Sequence, residues 1–220
     1  MTAVAALLFD CDGLLVNSEP LWTEALDELA REAGVEIRAE AYAGLATDAA
    51  SLRLAATLGM SAPVLAAEID RRYQGRLRGG VSPMPGAYDF IRRHHASVPF
   101  AVVSNGRRGE VLPMLDSTGL LPYFALVLTV DDVERPKPDP QPYLLAADRL
   151  GVDIARCVVF EDSPAGCLAG MRAGATVVGV QADPIELSAH YRLRSFDDLD
   201  DLSSTPFASP GEAVSIGARE

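Results

Sequence analysis

The spacing of hydrophobic positions changes character along the chain. The first apolar run, Val4-Ala5-Ala6-Leu7-Leu8-Phe9, has no polar interruption and is too short to cross a membrane. That is the pattern of a strand buried on both faces. Over residues 19–33 the apolar side chains Leu21, Trp22, Ala25, Leu26, Leu29 and Ala30 recur at helical spacing, and Gly34 stops the run. Thr47 can cap a second helix that Gly59 ends, and Ser61 can cap a third that reaches about residue 78. Residues 17–80 are therefore expected to be all-helical. Glycines and prolines then crowd residues 78–86, which reads as a linker and a domain boundary.

Past that boundary the pattern alternates. Helices are expected over residues 88–95, 110–118, 140–150 and 164–173, and strands over 100–104, 126–130, 157–161 and 176–180. Pro113 should kink the second of these helices or delay its start. Such alternation implies an α/β fold, a Rossmann-like parallel sheet covered on both faces, and the first strand belongs to that sheet. The expected organisation is an α/β core from residues 1–16 and 81–202, a helical cap domain over 17–80, and a loosely held tail over 203–220. The insertion leaves and returns near the carboxyl end of the first strand, where open α/β sheets bind ligands, and is placed to act as a lid.

Chemistry gathers at the strand ends. Asp10 and Asp12 follow the first strand and, being two apart, share one face, while Gly13 permits a sharp turn. Ser104-Asn105-Gly106 ends another strand with a hydroxyl, an amide and backbone N–H groups, an arrangement suited to an anion. Glu161 and Asp162 end a third, with Ser163 placed to cap the next helix and Pro164 at its first position. Lys137 lies between Pro136 and Pro138 and is the single lysine among 19 basic residues, so a compact point charge is called for there. Asp10, Asp12, Glu161 and Asp162 would repel one another at one sheet edge unless a hard divalent cation joined them, and an oxygen-rich set suits Mg²⁺. With Lys137 nearby the edge attracts a phosphoryl group.

Composition narrows the partners. A formal net charge of -12 disfavours nucleic acid and anionic membranes. Cys11, Cys157 and Cys167 lack metal-type spacing and read as reduced structural thiols, and with neither a long apolar span nor a basic leader the expected location is cytoplasmic. A monomer or weak homo-oligomer is expected. Asp197, Asp198, Asp200 and Asp201 read as a solvated acidic turn, and His94, His95 and His190 receive no catalytic role.

These four motifs in this order, with a helical insertion after the first, resemble the haloacid dehalogenase-like (HAD) superfamily in its helical-cap branch. The likeness spans about residues 3–183. It implies that Asp10 is the nucleophile forming an aspartyl-phosphate and that Asp12 is the acid/base, its backbone carbonyl also reaching Mg²⁺. It further implies that Ser104, with Asn105, and Lys137 hold the phosphate, and that Asp162, with Glu161 beside it, ligates the metal. The expected activity is a Mg²⁺-dependent phosphatase of a small phosphorylated metabolite, a sugar or polyol phosphate. Asp12 argues against a dehalogenase, and the absence of a cap lysine argues against a phosphonate hydrolase. A β-phosphoglucomutase-like reading stays open, although residues 39–52 hold no lysine or arginine; Arg53, Arg107 and Arg108 are the candidates for a second anion site. A phosphate-sensing regulator is the alternative outside enzymes. Tyr42, Leu45 and Thr47 are candidates to face substrate.

Overall fold

The computed structural model describes residues 4–42, 47–182 and 186–199 and the short segment 214–215. Leu45, Asp200, Asp201 and most of the 203–220 tail lie outside the described residues. In chain order the elements are β1 (Ala6–Phe9), β2 (Val16–Asn17), α1 (Glu19–Glu32), α2 (Thr47–Leu54), α3 (Ala62–Leu77), β3 (Ser82–Pro83), α4 (Ala87–His94) and β4 (Phe100–Val103). They continue with α5 (Arg108–Ser117), β5 (Leu126–Leu128), α6 (Gln141–Leu150), β6 (Cys157–Glu161), α7 (Pro164–Ala173), β7 (Thr176–Val180), β8 (Tyr191–Leu193) and β9 (Val214–Ser215).

The chain divides into two compact units, residues 1–16 with 82–220, and residues 17–81. In the first, seven strands lie in the order β5-β4-β1-β6-β7-β8-β9, every neighbour parallel. β1 sits between β4 and β6, with Phe9 opposite Val102 on one side and Phe160 on the other. Because side chains alternate along a strand, Ala6 and Leu8 face one layer and Leu7 and Phe9 the other. The Leu8 face packs with Val103, Val159, Val177 and the α6 and α7 residues Tyr143, Ala146, Cys167 and Ala169. On the other, Phe9 stacks on Phe160 with ring centroids 5.0 Å apart and also meets Phe90, Phe100, Phe124 and Phe196. Such edge-on and offset ring pairs add to the area they bury.

Several local expectations change. Asn17 is extended, and β2 pairs with β3 in a two-stranded ribbon, so residues 17–80 are not wholly helical and residues 78–86 are not merely a linker. The reason is backbone satisfaction: two strands leaving and re-entering side by side supply each other's hydrogen-bond partners. α5 runs through Pro113; the bond it lacks would reach Gly109 in the exposed first turn, where water can take the carbonyl. β8 and β9 escape the alternation because they are short and follow polar segments. In the tail, Val214–Ser215 pairs with Tyr191 and Arg192. Asp198 accepts from the Arg194 and Ser195 backbone N–H groups, so the acidic turn caps a short helix that sets Phe196 into the aromatic layer. His190 is structural: its Nδ1 accepts from the Val177 N–H at 3.0 Å.

The unit of residues 17–81 has its own core of Trp22, Leu26, Leu29, Leu54, Leu65 and Ile69. An ion-pair lattice joins α1 to α3, with Arg72 reaching Glu28, Glu32 and Glu68. Among the described residues no helix is long and apolar enough to cross a membrane. The three cysteines are free and buried.

Candidate active site

The site is built at the carboxyl ends of β1, β4 and β6. The Asp10 N–H still bonds the Phe160 carbonyl at 3.0 Å, so the first carboxylate is fixed by the last rung of the ladder. The chain then turns: Leu15 and Val16 donate to the Cys11 carbonyl, and Gly13 to that of Val16. Gly13 is needed twice over. Its φ is +78°, and a Cβ there would overlap the Asp162 carboxylate.

Lys137 is nearly sealed from water, and its Nζ donates to Asp10 Oδ1 at 2.5 Å and to Glu161 Oε1 at 2.6 Å. The loop that carries it is braced. The Asn105 side chain donates to the Lys137 carbonyl and accepts from its N–H, and Arg172 on α7 donates to the Pro138 carbonyl. The Asn105 amide thus meets both polar groups of the Lys137 backbone, as a buried peptide group requires. Ser104 is buried at the end of β4 and accepts from the Gly106 N–H at 2.9 Å. A Cβ on Gly106 would lie 3.1 Å from Ser104 Oγ and 3.4 Å from Asp12 Oδ2, which brings the Asp12 carboxylate to the anion-suited loop. Arg108, one candidate for a second anion site, pairs with Asp132 at 2.7 Å.

Asp10, Glu161 and Asp162 each place a carboxylate oxygen within 4.8 Å of the others. Burial pushes the Asp10 carboxyl up to about 7, with Lys137 pulling it back and Glu161 adding to the rise. Burial, and then the charges of Asp10 and Glu161, likewise hold Asp162 well above the usual carboxylate range. Asp10 and Asp162 resist ionising by themselves and a divalent cation would complement them, so the donor set fits a hard metal ion. Asp12 contributes no side-chain oxygen to this trio.

Tyr143 and Gly166 escape a reading of motifs, and Ser163, read as a helix cap, takes on a second role. The Tyr143 hydroxyl donates to Glu161 Oε1 at 2.6 Å, and Ser163 donates to Glu161 Oε2 while capping Gly166 of α7. Gly166 leaves the room Glu161 occupies, since a Cβ there would overlap its carboxylate. For Tyr143 a signal existed: a tyrosine at an apolar helix position must find a partner for its hydroxyl.

A family model described as haloacid dehalogenase-like hydrolase matches residues 4–174. Validoxylamine A 7'-phosphate phosphatase of Streptomyces hygroscopicus subsp. limoneus is 35% identical over 79% of this chain and 84% of its own length. Hexitol phosphatase A of Escherichia coli is 34% identical over 80% of this chain and 82% of its own. Among solved structures, a putative beta-phosphoglucomutase from Thermotoga maritima superposes with a TM-score of 0.76 at 25% identity, covering 88% of this chain and 95% of that one. With the motifs, sheet order and family match in agreement, the chain belongs to the haloacid dehalogenase-like hydrolases.

Proposed function

We propose that the protein is a Mg²⁺-dependent phosphatase of a small sugar or polyol phosphate that works through an aspartyl-phosphate on Asp10. The observation that carries the reading is the buried Lys137 ammonium bonded to Asp10 beside Asp162, with Asp12 two residues on. Ser104 and Lys137 hold the phosphoryl oxygens. Asp10 attacks phosphorus while Asp12 gives its proton to the departing alkoxide oxygen. Asp12 then takes a proton from water as that water attacks phosphorus, and the bond from Asp10 to phosphorus breaks to release inorganic phosphate. Asp10 and Asp162, with the Asp12 backbone carbonyl, are the residues to hold Mg²⁺, which supplies positive charge for the transferring group.

The relatives named as phosphatases, one of them of hexitol phosphates, support the substrate class. The mutase reading draws on the Thermotoga maritima likeness, but residues 39–52 carry no cation for a second phosphate, which leaves Arg53, Arg107 and the Asp132-paired Arg108 as its candidates. A cytoplasmic location accords with three free cysteines. The test is phosphate release from a panel of phosphorylated sugars, polyols and nucleotides with and without Mg²⁺, using Asp10→Asn as control. Metal-dependent release that this change abolishes is expected. Isomerisation of β-glucose 1-phosphate faster than release would establish the mutase, and a long-lived phosphoprotein without turnover would establish the regulator.

A further inference from the structure

A carboxylate with no exposure must be met by donors, and Glu161 is met on both oxygens. Oε1 accepts from Lys137 Nζ and from the Tyr143 hydroxyl, each at 2.6 Å. Oε2 accepts from the Ser163 hydroxyl at 3.0 Å and, more weakly, from the Ser163 N–H at 3.3 Å. Four donors occupy the lone-pair positions a carboxylate offers. Tyr143 is itself fully buried among Ala146, Ala147 and Cys167, where a phenylalanine would fill nearly the same volume. Its ring also lies 5.0 Å beneath Lys137 Nζ. Among the described residues, Glu161 is the hydrogen-bond partner of that hydroxyl.

We propose that Tyr143 is a positioning residue: its hydroxyl keeps Glu161 turned to Lys137 and away from the cation, so that Glu161 aims the ammonium at Asp10 and is not a metal ligand. The inference rests on the metal-dependent phosphatase reading above. Glu161 is close enough to Asp10 and Asp162 for the alternative to be real, since the three ligand atoms lie within 4.8 Å of one another. With the tyrosine hydroxyl removed, Oε1 keeps one donor and can relieve its deficit by turning to the cation. The metal then gains a ligand while Lys137 loses its anchor.

The test measures Mn²⁺ binding by titration calorimetry to wild type, Tyr143→Phe, Glu161→Gln and Asp162→Asn, together with kcat, KM and thermal unfolding. Asp162→Asn is expected to weaken Mn²⁺ binding by about tenfold or more, whereas Glu161→Gln leaves it within about threefold. Tyr143→Phe is expected to bind Mn²⁺ at least about threefold more tightly and to lose about tenfold in kcat with little change in KM. A purely structural tyrosine would lower only the unfolding midpoint. Glu161→Gln weakening Mn²⁺ as much as Asp162→Asn would overturn the proposal, as would a folded Tyr143→Phe without tighter binding, or wild type that binds no Mn²⁺. Should Tyr143→Phe fail to fold, the Glu161→Gln comparison decides alone. A wild type that binds Mn²⁺ yet releases no phosphate defeats the phosphatase reading and leaves this comparison intact.

Discussion

At the scale of the residue, Lys137 shows how a buried charge is kept. Burial is the largest influence on its ammonium and works to remove the proton, but Asp10 and Glu161 together outweigh it and the proton is held more tightly than in water. The cation and its two carboxylates therefore stand or fall together. Lys137→Met would leave two acids facing each other without a counter-charge, and a loss of about 3–5 kcal/mol in unfolding free energy is expected from urea titration without metal. Asp10→Asn added to Lys137→Met should recover part of it, because one of the stranded charges goes. Gly13 makes the complementary point about space. Gly13→Ala puts a methyl where the Asp162 carboxylate lies, at a φ that L-residues rarely adopt. It is expected to weaken Mg²⁺ binding and activity by about tenfold or more with circular dichroism unchanged.

At the scale of the element, each strand end delivers one or two groups and the following segment fixes them. β1 brings Asp10, β4 brings Ser104, and β6 brings Glu161 with Asp162. α7 begins at Pro164 behind the Ser163 cap and packs so closely on Glu161 that Gly166 cannot carry a side chain. Gly166→Ala should therefore cost about 1–3 kcal/mol through overpacking, against the small gain alanine brings to an unconstrained helix. A variant as stable as wild type in urea would show that α7 has room to move. α6 is tied to the same point by the Tyr143 hydroxyl, and the Lys137 loop by Asn105. The tie at the start of α7 follows from ordinary helix grammar, since Ser163-Pro164 is a capping sequence. The ties through Asn105 and Tyr143 do not, because each reaches across 32 or 18 positions of sequence.

At the scale of the whole molecule, the cluster of acids couples stability to pH and to metal. Asp10 is raised from 3.8 to about 7 and Asp162 is raised with it, so the folded chain binds protons that the unfolded chain releases. A folded pKa above the unfolded one means that stability without metal falls as pH rises from about 4 through about 7. A bound cation favours the ionised carboxylates and offsets that fall. Thermal midpoints measured in EDTA and in Mg²⁺ should separate as pH rises through this window, with the widest gap at its alkaline end. A gap that stays constant across the window would mean that neither carboxyl is protonated in the metal-free protein.

The sequence by itself determined the alternation of strands and helices, the parallel α/β class and the positions of Asp10, Asp12, Ser104, Lys137, Glu161 and Asp162 at strand ends. Those features are local: apolar runs, capping residues and a solitary lysine are written within a few positions of one another. What the tertiary structure alone decided is who meets whom. It turned the Asn105 amide onto the Lys137 backbone, spent Arg108 on Asp132, paired β2 with β3 and gave Glu161 four protein donors. A hydrogen bond between residues far apart in sequence depends on the register of the sheet and the approach of a helix, which no local pattern encodes. Tyr143 is the clearest case, an apolar helix position by its spacing and a donor to Glu161 only once α6 and β6 lie against each other.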